Sequence, residues 1–345
     1  MRAMVVRRYG PPENLESRQL PDPQPKPGEV LVRVRAIGVN FADLLQRMGL
    51  YPGAPKPPFV PGIEIAGVVE RISEGGGRGT PNTNLRPGDA VAALTRFNAY
   101  AEWATVPSDQ AYRLPQGMRF EDAAAMPVNY LTAYHSMFAM GNLQPGDRIL
   151  VHGAAGGVGL AAVQLARARG LLIFGTAGPS KQDYLRKAGV DHPIDYEKSD
   201  FVEVVRKFAP EGIEMVMDPI GGKSFSRSYR CLGPGGRLVV YGFSAAAGKT
   251  GKRNPLNGLT ALLQTPRFHP LKLMGDNISV IGVSLGGLRT RPGLLQSEMD
   301  EIFRLWGAGK IGPVTGKSFP LAQAAEAHRY IHDRKNIGKV ILTVK

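Results

Sequence analysis

The stretch Arg148-Ile-Leu-Val-His-Gly-Ala-Ala-Gly-Gly-Val-Gly159 constrains the fold of this chain more than any other. A short apolar run, Ile149 to Val151, meets a corner built from Gly153, Gly156, Gly157 and Gly159. Leu160 to Arg167 follows, with apolar residues on one face. That order predicts a strand, a tight turn and a helix. Laid over a dinucleotide-binding fingerprint, Ala154 replaces the first glycine, while Gly156 and Gly159 match the second and third. Gly156 would let the backbone approach a pyrophosphate, and Gly159 would let helix and strand pack closely. Ala155, Gly157 and Val158 would complete a helix N-terminus whose N–H groups and dipole face the phosphates.

A second apolar run, Leu171 to Thr176, leads into Ala177-Gly-Pro-Ser-Lys181. An NAD-preferring site usually carries an acid here for the ribose 2′-hydroxyl. No acid lies between Gly170 and Lys181; Ser180 and Lys181 are donors suited to a 2′-phosphate. NADPH is therefore the expected cofactor. The competing reading is a glycine-rich corner without a ligand and a lysine that caps a solvated helix.

The chain of 345 residues predicts about two domains. Its one cysteine, Cys231, excludes a disulfide framework and a cysteine-rich zinc lobe. No apolar stretch approaches the roughly 20 residues of a membrane span, and Met1 to Arg8 lacks a signal-peptide core. A cytoplasmic protein is expected. The net charge of +14 is spread along the chain, densest at Lys249-Thr-Gly-Lys-Arg253, and reads as a basic surface rather than a nucleic-acid site.

Residues 1 to 125 read as β-rich, with strands at Val30 to Ala36, Gly62 to Glu70, Asp89 to Leu94 and Tyr100 to Val106. Pro21 to Pro27 and Pro52 to Pro61 read as connectors, Glu74 to Arg86 as an exposed loop, and Tyr130 to Phe138 as a helix. From Arg148 onward strand and helix alternate: Ile149 to Val151, Leu171 to Thr176, Asp191 to Ile194, Ile213 to Asp218, Arg237 to Tyr241, Ile278 to Val283. Six such strands imply a doubly wound parallel sheet of an α/β fold. The last strand, Ile278 to Val283, is expected at an edge covered by a second subunit. After Met299 a helix and two short runs return, and Lys339 to Val344 should pack back on the N-terminal part.

Several familiar chemistries are absent. Gly248-Lys-Thr250 lacks the glycine that a P-loop needs five positions earlier, where Phe243 stands. There is no tyrosine followed four residues later by lysine and no H-E-x-x-H. His152, at a strand end, is expected to be structural.

Gly38-Val-Asn-Phe-Ala-Asp43, Pro61-Gly-Ile-Glu-Ile-Ala-Gly67, Arg86-Pro-Gly-Asp89, Ala154 to Gly159 and Gly338-Lys-Val340 resemble, in this order, the quinone oxidoreductase group of the medium-chain dehydrogenase/reductase superfamily. Val128 to Tyr134, Gly141 to Gly146, His192 to Tyr196 and Val216 to Gly222 are similar to its vesicle amine transport protein branch. The resemblance implies a Rossmann domain over 128–289 and a GroES-like catalytic domain over 1–127 and 290–345. Zinc-dependent relatives carry a cysteine at the position of Asn40 and a histidine at that of Ile63. An amide and an aliphatic side chain cannot make a catalytic zinc shell, so metal-free chemistry is expected. Glu64 reads as a backbone or helix-cap partner rather than a ligand.

By resemblance, Asn40 lies where substrate and nicotinamide meet, and Tyr51 resembles the tyrosine that some enoyl reductases hold over the substrate carbonyl, the other reading being an ordinary loop tyrosine. Asn129 and Thr132 correspond to positions near the nicotinamide. Thr176 ends the second strand, and Tyr241, Gly242 and Phe243 end a later strand crossing beneath it. Tyr196 would flank the adenosine phosphate beside Lys181, and Asn336 would reach the cofactor from the C-terminal segment. Three function classes stay open: an NADPH-dependent quinone or enone reductase (type EC 1.6.5 or 1.3.1), a membrane-trafficking protein on the same fold with no spanning segment, and an RNA-binding homologue.

Overall fold

The computed structural model describes residues 1–73, 85–248 and 255–345. Strands β1 (Arg2–Val6) and β2 (Leu15–Gln19) form an antiparallel ribbon, which leads into β3 (Glu29–Val39). β4 (Glu64–Ile72), β5 (Ala90–Leu94), β6 (Trp103–Pro107) and β7 (Ala111–Arg113) complete the first antiparallel set. β8 (Arg148–His152), β9 (Leu172–Ala177), β10 (His192–Asp195), β11 (Ile213–Asp218), β12 (Leu232–Val240) and β13 (Ser279–Gly282) build the second sheet. The chain then returns as β14 (Thr315–Pro320) and β15 (Lys339–Thr343).

The second sheet is parallel throughout, in the order β10-β9-β8-β11-β12-β13. This is the doubly wound order 3-2-1-4-5-6, whose connections reverse between β8 and β11. Ligands of such sheets bind beyond the strand ends at that reversal, where the glycine corner after β8 stands. β13 pairs only with β12 and is the sheet's edge, as its place last in the alternation predicts.

The first sheet runs β14-β15-β3-β4-β5-β7, with β6 also on β3. The C-terminal strand thus pairs back on the N-terminal part. Val340 lies opposite Val39 in that antiparallel pair, so Lys339 comes level with Asn40. The helix Pro292–Gly307 packs Leu295, Met299 and Ile302 into the core beside the parallel sheet before the chain crosses over.

Three elements depart from the sequence reading. The β1–β2 ribbon was not anticipated, because its outer strand Leu15–Gln19 is mostly polar and exposed. The return after Met299 holds two helices, Pro292–Gly307 and Ala324–His332, rather than one. A helix, Phe41–Met48, fills the segment after Asn40. The Asp43 carboxylate accepts from the Asn40 backbone N–H at 2.9 Å, and Gly49 ends the helix at φ 71°. The basic cluster Lys249 to Arg253 and most of the Glu74 to Arg86 loop lie outside the described residues.

Candidate functional site

The glycine corner has the shape its sequence requires. A Cβ on Gly159 would fall 2.3 Å from the Gly153 carbonyl oxygen and 2.7 Å from Ala154 Cα, so only glycine lets the helix Gly157–Ala168 sit this close to β8. A Cβ on Gly157 would press on the Asn129 amide, whereas one on Gly156 would meet only the Gly153 oxygen, at 3.2 Å. No side chain caps the helix N-terminus at Gly156, leaving first-turn N–H groups for an anion. Ala155 and Val158 complete the turn, and the Ala155 carbonyl accepts from Gly338 N–H, tying it to the C-terminal segment.

Beneath the corner lies a buried polar chain. Thr176 Oγ1 accepts from Gly153 N–H and bonds His152 Nδ1 at 3.0 Å; His152 Nε2 bonds Ser228 Oγ, which donates to Asp218 at 2.7 Å. Burial holds His152 below its usual pKa, so the ring is neutral. His152 is a brace for the turn, and the Thr176 hydroxyl serves the same brace. Tyr241 and Phe243 are half-buried past the end of β12, and the Phe243 ring packs where a Cβ on Gly221 would stand; Gly242 between them is exposed.

At the end of β9, Lys181, Tyr196, Arg334 and Asn336 gather around Gly178, and exposed Ser180 adjoins Lys181. Lys181 Nζ donates to the Asn336 carbonyl at 2.6 Å, and Arg334 donates to the Tyr196 hydroxyl at 3.3 Å. Burial, then the Arg334 charge, lowers the Lys181 pKa. Two cations share this corner, and among the described residues no acid is bonded to either. Arg334 escaped the sequence reading because a basic residue in a helix-to-strand connector reads as solvated surface.

A second cluster surrounds Asn40. Its Oδ1 accepts from Lys339 Nζ at 2.6 Å; its Nδ2 donates to Glu64 Oε1 at 2.8 Å and to the Gly38 carbonyl at 3.2 Å. Lys339 also pairs with Glu64 and donates to Asn129 Oδ1 at 3.3 Å. Glu64 Oε2 accepts from Val128 N–H at the start of the helix Pro127–Tyr134, the helix-end partnership its sequence suggested. All four side chains are buried, and every polar atom of the Asn40 amide is engaged within the protein. Thr132 lies buried on the same helix as Asn129. Lys339 was missed because a lone lysine heading an apolar strand looks like a strand boundary; only the strand register brings it to Asn40.

Asp43 links this cluster to a longer wire. Tyr100 donates to Asp43 Oδ2 at 3.1 Å, His328 Nε2 bonds the Tyr100 hydroxyl at 3.0 Å, and Arg47 Nε donates to His328 Nδ1 at 3.2 Å. Arg47 also donates to the Gly10 carbonyl. With Nδ1 accepting, the ring carries its proton on Nε2 and every donor in the wire points toward Asp43. Burial pushes the Asp43 carboxyl up to about 7 and holds His328 well below its usual pKa.

Tyr51 stands apart. It lies past the C-terminal end of the helix whose N-terminus Asn40 begins, about 12 Å of helix away. Tyr51 is half-buried, and its hydroxyl bonds no protein atom among the described residues. Burial, then the charge of Asp43, raises its pKa, while Arg289 opposes the shift. Among the described residues no three His, Cys, Asp or Glu side chains group as a metal site, and no helix is long and apolar enough to cross a membrane.

Residues 26–116 match the alcohol dehydrogenase GroES-like domain, and residues 188–342 match the zinc-binding dehydrogenase family. The human synaptic vesicle membrane protein VAT-1 homolog is 41% identical, over 99% of this chain and 86% of that protein. Human quinone oxidoreductase is 32% identical, over 99% of this chain and 97% of that protein. The crystal structure of Escherichia coli quinone oxidoreductase complexed with NADPH superposes with TM-score 0.86 at 29% identity, covering both chains fully. With the parallel sheet, the glycine corner and these relatives in place, the chain belongs to the medium-chain dehydrogenase/reductase superfamily of oxidoreductases, close to the quinone oxidoreductases and VAT-1 homologs.

Proposed function

We propose that this chain is an NADPH-dependent, zinc-independent reductase that passes hydride to a quinone or an α,β-unsaturated carbonyl. The observation that carries this reading is the pairing of an uncapped helix N-terminus at Gly156 with the two cations at the end of β9. The N-terminus suits a pyrophosphate; Lys181, Arg334, Tyr196 and Ser180 suit a 2′-phosphate. A solved relative titled as a quinone oxidoreductase holds NADPH. Asn129, Thr132, Thr176, Tyr241, Gly242, Phe243 and Asn336 would line the remainder of the cofactor's path.

Bound in that groove, NADPH supplies the hydride. The protein's part is orientation and stabilisation of the charge that develops on the acceptor oxygen. Tyr51 is the group free to do this: its hydroxyl has no protein partner among the described residues, and its raised pKa keeps the proton on at neutral pH. Asn40 has both N–H bonds and its oxygen engaged, so its role is to fix the wall of the site. Zinc is not needed to balance Glu64, because the Lys339 ammonium already neutralises it.

The edge strand β13 and the exposed Leu271 and Met274 on the helix Pro270–Asp276 that leads into it support a homodimer through that edge.

The test is cofactor titration followed by turnover. Chelator-treated protein should oxidise NADPH with quinones and enones, with NADH markedly poorer. Failure to bind either cofactor, or activity that chelation abolishes and zinc restores, would overturn the reading.

A further inference from the structure

One wall of the molecule carries polar groups that the protein itself leaves unpaired. Arg289 follows the short helix Leu285–Leu288 between the two sheets. Its Nη1 is buried and bonds nothing among the described residues. Beside it, the Tyr112 hydroxyl and Gln110 Oε1 are also buried and unpartnered. Gln110 Nε2 reaches the Arg289 carbonyl at 3.5 Å, fixing the two segments together. Asp109 lies near yet forms no ion pair with Arg289, and Arg96 adds a second positive charge. Tyr51 is an electrostatic neighbour of the same guanidinium.

A guanidinium N–H buried without an acceptor is destabilising, and Arg289 Nη1 is such a donor although the residue as a whole is half-buried. Burial, then the Arg96 charge, lowers the Arg289 pKa, with Tyr112, Asp109 and Tyr51 opposing the shift. A planar carboxylate matches the guanidinium fork; Arg96 adds positive charge beside Arg289, while Asp109, Glu298 and Asp300 are the acids near the Tyr112 hydroxyl. The cations Lys181 and Arg334 serve a different corner, where their partners are Asn336 and Tyr196.

We propose that Arg289, with the hydroxyl of Tyr112, receives a carboxylate on the substrate, so that the preferred acceptor is an anionic, carboxylate-bearing enone or quinone. This rests on the reductase reading and adds the substrate's charge to it. The carbonyl to be activated lies at Tyr51 and the carboxylate at Arg289.

The experiment compares a straight-chain enone ending in a carboxylate with its methyl ester, and the saturated keto acid with its own ester. Calorimetric binding of the two saturated compounds, with and without NADP⁺, needs no turnover. The keto acid should bind about tenfold to hundredfold tighter than the ester, the range expected for a charge-assisted bidentate contact. Arg289→Gln should bring that ratio to about one, and Arg289→Lys should restore part of it. Equal binding of acid and ester by the wild type, no binding of either, or a preference that survives Arg289→Gln would overturn the inference. The wild-type ratio decides even if the variants fold poorly. Failure of the reductase reading shows separately, as no NADPH oxidation with the unsaturated ester.

Discussion

Two polar clusters in this molecule differ in one respect. Around Asn40, each donor meets an acceptor: Lys339 serves Asn40, Asn129 and Glu64, and Glu64 returns bonds to Asn40 and Val128. Around Arg289, donors and acceptors are buried and unmet: Arg289 Nη1, the Tyr112 hydroxyl and Gln110 Oε1. Tyr51, with an unpaired hydroxyl, belongs to the second kind. A saturated network holds geometry, and an unsaturated one is open to a ligand. That contrast moves the hydrogen-bonding role from Asn40, at the position of the lost zinc ligand, to Tyr51.

The contrast breaks most visibly if the saturated cluster is opened. Lys339→Met leaves the Glu64 carboxylate buried without its partner, which should lower folding stability by about 3–5 kcal/mol. Chemical denaturation measures this. A loss below about 1 kcal/mol would mean that the pair is solvated and the cluster is not the rigid wall assigned to it.

The cofactor corner gives the next effect. Lys181→Ala removes a charge-assisted contact to a 2′-phosphate, typically worth about 1.5–3 kcal/mol, so NADPH affinity should fall roughly tenfold to hundredfold. A lysine that served the 2′-phosphate alone would leave NADH affinity nearly untouched when removed. The bond from Lys181 to the Asn336 carbonyl alters that expectation, because losing it loosens the segment for both cofactors. The ratio of NADPH to NADH dissociation constants is therefore the quantity to follow, and an unchanged ratio contradicts the assignment.

Asp43 provides a smaller, pH-dependent effect. Its carboxyl is raised in the fold to about 7 from an ordinary value of 3.8. The stabilisation this brings is complete below the unfolded value and is lost as pH rises through about 7. Its slope is at most about 1.4 kcal/mol per pH unit between the two. The buried His152 and His328 act in the opposite sense: their pKa values are depressed, and their contribution is lost as pH falls below about 6.5. Comparing wild type with Asp43→Asn isolates the carboxyl. The melting-temperature difference should move in favour of the variant as pH rises from 4 to 7; a constant difference would show an ionised Asp43 throughout.

The smallest expected effects concern association and metal. Wild-type protein should sediment as a dimer at micromolar concentration, and a monomer would refute pairing through β13. Chelation should leave the melting curve in place, and a loss of stability that zinc reverses would contradict the reading of Asn40 and Ile63.

The parallel sheet was legible in the sequence because most of its strands carry a short apolar run between helix or turn signals, and the glycine corner announced itself at Gly156 and Gly159. The helix Phe41–Met48 was not, although Asn40, Asp43 and Gly49 are helix-end signals; they stood inside a motif read for its chemistry. Neither Lys339 nor Arg289 could be placed from sequence. Lys339 meets Asn40 only through the β15–β3 register, 299 residues apart along the chain, and Arg289 meets Gln110 across 179. Contacts of that span leave no local periodicity to read.

The most direct test of the contrast is Tyr51→Phe, which deletes one unpaired hydroxyl and leaves the Asn40 cluster intact. Steady-state turnover of a simple enone and of a quinone, both with NADPH, should separate. Enone kcat should fall about 10²–10³-fold, as for loss of a single preorganised donor, while the quinone, which accepts electrons without a close proton donor, falls far less. If both rates persist unchanged, the unsaturated wall takes no part in the chemistry and the proton comes from water.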